Sequence, residues 1–114
     1  MRFRDTVKIS FTKEVQREIR VPPLLFMAFV ENAFKHGAII SGLMEVIVFL
    51  KCDRQHITLV VKNTILPSQP TIESHGLGIS TTKRRLDVLY PNAYTLDITK
   101  TKDWYEVSLK ISVI

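Results

Sequence analysis

The stretch Pro22 to Gly37, P-P-L-L-F-M-A-F-V-E-N-A-F-K-H-G, decides how the rest of this chain is read. Proline fits the first helical turn, where its missing N–H would have had no partner, so a helix is expected to begin at Pro23 or Leu24. Gly37 should end it, because glycine readily adopts the left-handed conformation that closes a helix. At about 100° per residue, Phe26, Phe29, Val30, Ala33 and Phe34 share one side and form the expected buried face. Glu31, Asn32, Lys35 and His36, with Leu24 and Ala28, fall within an arc of roughly 140° on the other side. A helix with a thick aromatic face must lie on a sheet or another helix, and its polar side then looks outward or into a cleft.

Outward from this helix the pattern becomes that of strands. Before it, Val7, Ile9 and Phe11 alternate with Lys8 and Ser10, the period of a half-buried strand, and Ile19 and Val21 extend it or add another. After it, Leu43 to Lys51 and His56 to Lys62 are rich in Val, Ile, Leu and Phe and are joined by Cys52-Asp53-Arg54-Gln55, which reads as a hairpin. From Asn63 to Gly78 the pattern dissolves into a long loop containing Pro67, Pro70, Gly76 and Gly78. Loops of this length inside a compact domain tend to be lids or disordered. A second helix is expected from about Ile79 to Leu89, with Ile79, Leu86, Leu89 and Tyr90 on its apolar side and Pro91 as a stop. A last hairpin pairs Tyr94, Leu96 and Ile98 with Tyr105, Val107, Leu109, Ile111 and Val113. This order gives an α+β fold, a two-layer sandwich of a mixed, mostly antiparallel sheet with helices on one face.

Size and composition narrow the function classes. With 114 residues, 46% of them hydrophobic, the chain fits one compact domain. The most apolar run, Leu43 to Leu50, contains Glu45 and is too short to cross a bilayer. The start, Met1-Arg2-Phe3-Arg4-Asp5, has no apolar signal core, so a cytosolic setting is expected. Cys52 is the only cysteine, which excludes an internal disulfide and a cysteine-rich metal site. The formal charge of +5 suits an anionic partner. Its basic residues are scattered, however, and even Lys83-Arg84-Arg85 lacks the motif spacing of a nucleic-acid reader, so a solvated basic surface is expected rather than a nucleic-acid interface.

The polar side of the first helix offers the chemistry. Asn32 carries a hard oxygen suited to Mg²⁺, which usually shares its shell between one or two protein groups and nucleotide phosphates. Glu31 is placed to accept a proton or polarise a water. Lys35 and His36, a turn further on, can neutralise phosphate charge. The plain alternative is a surface pair between Glu31 and Lys35, with Asn32 and His36 solvated. Gly76-Leu77-Gly78 favours the first reading. Glycines ahead of a helix let the backbone approach a phosphate, and the helix start presents free N–H groups.

These motifs in this order, Val21-Pro22-Pro23-Leu24-Leu25, then Val30 to Gly37, then Gly76-Leu77-Gly78-Ile79 with Arg85-Leu86 and Leu89-Tyr90, resemble the ATP-binding domain of LytS-type sensor histidine kinases across essentially the whole chain. These belong to the GHKL superfamily with gyrase and MutL, whose fold is the Bergerat type. The resemblance implies that Pro23 to Gly37 carries the N box, with Asn32 holding Mg²⁺, Glu31 handling a proton or water as the catalytic residue, and Lys35 and His36 facing the phosphates. It makes Gly76, Leu77 and Gly78 the second glycine box, which with the loop before it forms a lid over ATP. Asn63 falls where the family has the aspartate that accepts a hydrogen bond from the adenine amino group, and Ile65 where it has a glycine. An asparagine carbonyl can accept that bond without charge assistance, which roughly doubles its strength. Thr81 replaces a second asparagine found in many relatives.

The resemblance further implies a protein-histidine kinase catalytic domain with ATP and Mg²⁺ as cofactors. The phosphate-accepting histidine would lie on a dimerisation domain N-terminal to this one, and a response-regulator receiver domain would take the phosphate next. The chain then resembles an excised module that does not phosphorylate itself, cytoplasmic, from a parent anchored in the membrane elsewhere. His36 belongs to the ATP site, His56 opens a strand and His75 lies in the lid, so none is expected to accept the phosphate. The rival is a GHKL-like fold that has lost nucleotide and serves as a protein interaction module.

Overall fold

The computed structural model describes residues 6–16, 23–37, 42–66 and 77–112. Among these, five strands form one sheet in the order β1-β2-β3-β5-β4. They are β1 (Thr6–Val15), β2 (Leu43–Cys52), β3 (His56–Thr64), β4 (Tyr94–Lys100) and β5 (Trp104–Ser112), with α1 (Pro23–His36) between β1 and β2 and α2 (Leu77–Leu89) between β3 and β4. β1 runs parallel to β2, as a strand separated from its neighbour by a crossover helix must, and the other three pairings are antiparallel. The expected mixed, mostly antiparallel sheet is therefore present. The extension at Ile19 and Val21 lies outside the described residues.

One face of the sheet carries the core. Val46, Val48 and Cys52 on β2, Ile57, Leu59 and Val61 on β3, and Tyr105, Val107, Leu109 and Ile111 on β5 are buried, alternating with half-buried or exposed neighbours. α1 lies across β2, β3 and β5 and packs on α2. α2 sits on the same face. Its Leu86 is fully buried, and Asp87 accepts a hydrogen bond from Tyr94, whose ladder partner is the buried Ile111. On the opposite face Ile47, Phe49 and Val60 are half-buried, beside Lys62, whose ammonium stands 4.6 Å from the centre of the Trp104 ring.

Several local expectations are corrected. β3 continues through Asn63 and Thr64, and Ile65 is buried after it, so the chain stays ordered where the sequence suggests a loop. The Ile65 N–H donates to the Asp103 carbonyl at 2.9 Å, which prolongs the pairing of β3 with the β4–β5 turn. α2 begins two residues before Ile79; Leu86 is buried as expected, but Leu89 is 46% exposed and Thr82 is buried with Leu86 instead. Gly37 is not left-handed; among the described glycines only Gly42 has positive φ, at 79°. What Gly37 requires is space, since a Cβ there would lie 2.9 Å from the Ala33 carbonyl oxygen and against the Met44 sulfur. Cys52 closes β2 as a buried residue, and Asp53 beyond it accepts hydrogen bonds from the Gln55 and His56 N–H groups, which lower its pKa. No helix among the described residues is long and apolar enough to cross a membrane.

Candidate functional site

In α1 the residues at spacing i, i+4, i+7 and i+8 from Leu25 face the core: Leu25, Phe29, Asn32 and Ala33 are all at most 4% exposed. Asn32 thus takes an interior position, while Glu31 and Lys35 on either side of it are exposed. This corrects the sequence reading of the helix. Phe34 is 40% exposed and Phe26 and Val30 only half-buried, so the inward stripe is rotated toward Asn32. The physical reason is that α1 is apolar on nearly every side, which leaves the wheel without a preferred direction until β3 and α2 supply one. Burying an amide is costly unless it has a partner or a task.

Asn63 comes to the same interior layer from the sheet. It is completely buried near the end of β3, opposite Val46 on one side and Tyr105 on the other. Its Nδ2 donates to the Thr64 carbonyl at 3.3 Å, and Oδ1 has no hydrogen-bond partner among the described residues. Thr64 is held in turn by the Glu45 N–H, which donates to its Oγ1 at 3.2 Å.

Tyr105 links the two asparagines. Burial raises its phenol pKa, and interaction with the Asn32 amide pulls it part of the way back. Asn32 Nδ2 nevertheless lacks a hydrogen-bond partner of good geometry among the described residues. Among the described residues, the layer under α1 therefore holds an unpartnered acceptor on Asn63 and, on Asn32, a donor with no well-aligned partner beside the buried Tyr105. Buried groups left unpaired in this way cost about 1–3 kcal/mol each, and native proteins retain them mainly where a water, ion or ligand completes them.

The other sequence-derived site residues are placed unevenly. Leu77 and Gly78 form the first turn of α2, whose leading N–H groups have no helical acceptor. Gly76 and His75 lie outside the described residues. His36 is the last residue of α1. Thr81 is exposed, and its neighbour Thr82 is 3% exposed. Among the described residues no three His, Cys, Asp or Glu side chains converge. A hard cation at Asn32 fits the amide oxygen as one ligand and would draw the rest of its shell from phosphate and water, which is how Mg²⁺ is commonly held beside nucleotides. Sequence reasoning missed Tyr105, because its place in an alternating strand marks it only as core.

No family model matches the chain. It is 26% identical over 102 residues to the sensor histidine kinase BtsS of Escherichia coli strain K12, a match that covers 87% of this chain and 18% of that protein. BtsS of Shigella flexneri matches to the same extent. Among solved structures, the nucleotide-free catalytic domain of histidine kinase ThkA superposes with a TM-score of 0.64 at 13% identity, covering 91% of this chain and 79% of that one. The histidine kinase domain of the blue-light-activated kinase EL346 from Erythrobacter litoralis gives 0.62 at 17% identity, over 92% of this chain and 54% of that one. Acinetobacter baumannii AdeS gives 0.61 at 13% identity, also over 92% and 54%. The chain has the fold of histidine kinase catalytic domains.

Proposed function

We propose that this chain is the Mg-ATP-binding catalytic domain of a LytS-type sensor histidine kinase, which presents the γ-phosphate of ATP to a histidine on a separate dimerisation domain. The observation that carries this reading is Asn63. A fully buried amide, oriented by its own bond to Thr64 so that a carbonyl oxygen is left free, suits a ligand that brings an N–H donor. The adenine amino group is such a donor, and the 6-oxo group of guanine is not. The fold shared with histidine kinase catalytic domains and the likeness to BtsS support the rest.

Phosphoryl transfer asks mainly for positioning and charge neutralisation. Asn63 would fix the base. Asn32 would hold Mg²⁺ through its amide oxygen, and the ion when bound neutralises phosphate charge. Lys35 and His36, one turn beyond it on α1, would face the phosphates. Leu77 and Gly78 at the start of α2, with Gly76 before them, would direct backbone N–H groups at the phosphate oxygens. Glu31, exposed next to Asn32, would orient the incoming imidazole and accept its proton. The acceptor domain and a response-regulator receiver domain are the partners in this scheme, and ThkA has been crystallised with its response regulator TrrA. The parent protein would be anchored in the membrane through another part.

One observation favours the rival, a nucleotide-free interaction module. Ile65, 3% exposed, fills the position where the family has glycine. Titration calorimetry of the chain with Mg²⁺ and non-hydrolysable ATP and GTP analogues separates the two. Saturable heat with the ATP analogue and much weaker heat with the GTP analogue is expected; no saturable heat at millimolar nucleotide leaves the module reading.

A further inference from the structure

On β1 only Val7 packs against the core, yet the apolar pattern continues along the strand. On β1, Ile9, Phe11 and Val15 are 57%, 58% and 51% exposed, although their ladder partners Val46, Val48 and Cys52 are buried. Among the described residues β1 is also an edge of the sheet. Ten residues long, with β-branched and aromatic side chains on one face, it is the kind of edge that other proteins shorten, bulge or cover.

We infer that β1 pairs with β1 of a second copy of this chain, antiparallel about a two-fold axis through Phe11. Such an axis stands perpendicular to the sheet and keeps the helices of both copies on one side, so a core-face residue must meet a core-face residue. With Phe11 opposite Phe11 of the other copy, Val7 meets Val15 and the stem of Lys13 crosses Ile9. On the opposite face Lys8 of each copy meets Glu14 of the other, and Ser10 meets Thr12. The strand is therefore complementary to itself in charge as well as in apolar content. Sliding by two residues either way, the nearest registers that keep the faces, sets Lys8 against Thr12 or Gln16 and parts the two phenylalanines. Cross-strand charge and aromatic pairs are what choose among registers. A single ten-residue ladder is a small interface, so the dimer is weak, held in the micromolar to submillimolar range.

Sedimentation equilibrium of the full chain tests this. The wild type is expected to run as a reversible monomer–dimer mixture. Lys8→Glu puts like charges opposite each other at two places and should weaken the dimer by about tenfold. Reversing the second charge as well, Lys8→Glu with Glu14→Lys, should restore it. Phe11→Cys should cross-link two copies under mild oxidant, with Cys52 buried and out of reach. A monomer mass at about 1 mM overturns the proposal, since an interface of even minimal size associates there. So does an association that Lys8→Glu leaves unchanged, one that the double reversal fails to rescue, one that grows beyond two copies, or one without the Phe11→Cys cross-link.

Discussion

Asn63 on β3 stands directly across the ladder from Tyr105 on β5, and Tyr105 in turn meets the Asn32 amide on α1. The sheet and the helix thus each bring a buried amide to the layer that holds this tyrosine. Among the described residues, this layer is where the fold leaves hydrogen-bonding capacity open.

Replacing Asn63 by Asp supplies a charged acceptor in place of a neutral one. The ATP analogue should bind several-fold more tightly, because charge assistance roughly doubles a hydrogen bond. The ligand-free protein should melt lower, since a carboxylate at a fully buried position is desolvated. Calorimetric titration and a thermal scan read the two effects separately. A loss of affinity would place the adenine contact elsewhere.

Asn32→Ala should remove Mg-dependent nucleotide binding and leave stability within about 1 kcal/mol, because the amide it deletes already has an unpartnered donor. It should also raise the Tyr105 phenol further, by removing the neighbour that pulls it down. Ultraviolet titration of the tyrosines detects that shift without nucleotide, and unchanged affinity in the variant would end the metal role.

The strands and the order of elements were legible because Val, Ile and Leu alternate with polar residues at a period that only a sheet satisfies. The helix from Pro23 was legible from its prolines. Its orientation was not, because Phe26, Met27, Val30 and Phe34 give α1 apolar surface well beyond the stripe that β3 and α2 cover. Asn32 was expected on the polar side of the helix with Glu31 and Lys35, looking outward or into a cleft, whereas it takes a buried place in the inward stripe. Asn63 was likewise noticed, yet Pro67 and Pro70 close behind it made the strand appear to end early. Tyr105 gave no signal at all, since its contact with Asn32 joins residues far apart in the chain.

Alkaline stability should depend on Tyr105. Burial lifts its folded pKa above the ordinary 10.0, so folding favours the neutral phenol. That contribution is fully present below pH 10 and is lost as pH rises through the folded value, because the unfolded chain then releases the proton first. Tyr94, raised by its bond to Asp87, acts in the same direction from a half-buried position. Tyr105→Phe should therefore flatten part of the fall in urea stability between pH 9 and 11. An unaltered alkaline slope would show that the phenol ionises freely in the folded state.

The glycines that flank the α1–β2 connection should respond to alanine for different reasons. At Gly37 the added Cβ meets the Ala33 carbonyl at 2.9 Å and the Met44 sulfur, so Gly37→Ala should destabilise by about 1–3 kcal/mol through overpacking. Shortening the neighbour, Gly37→Ala with Met44→Ala, should couple favourably, the double variant losing less than the two single losses combined. At Gly42 nothing lies within 4 Å of the added Cβ, but φ is +79°. Gly42→Ala should cost about 1–2 kcal/mol from backbone strain alone, with no rescue by Met44→Ala. Urea denaturation of these variants checks both, and because Gly37 directly follows α1, whose last turns carry Asn32, its overpacking should also weaken ATP-analogue binding while Gly42→Ala leaves it unchanged.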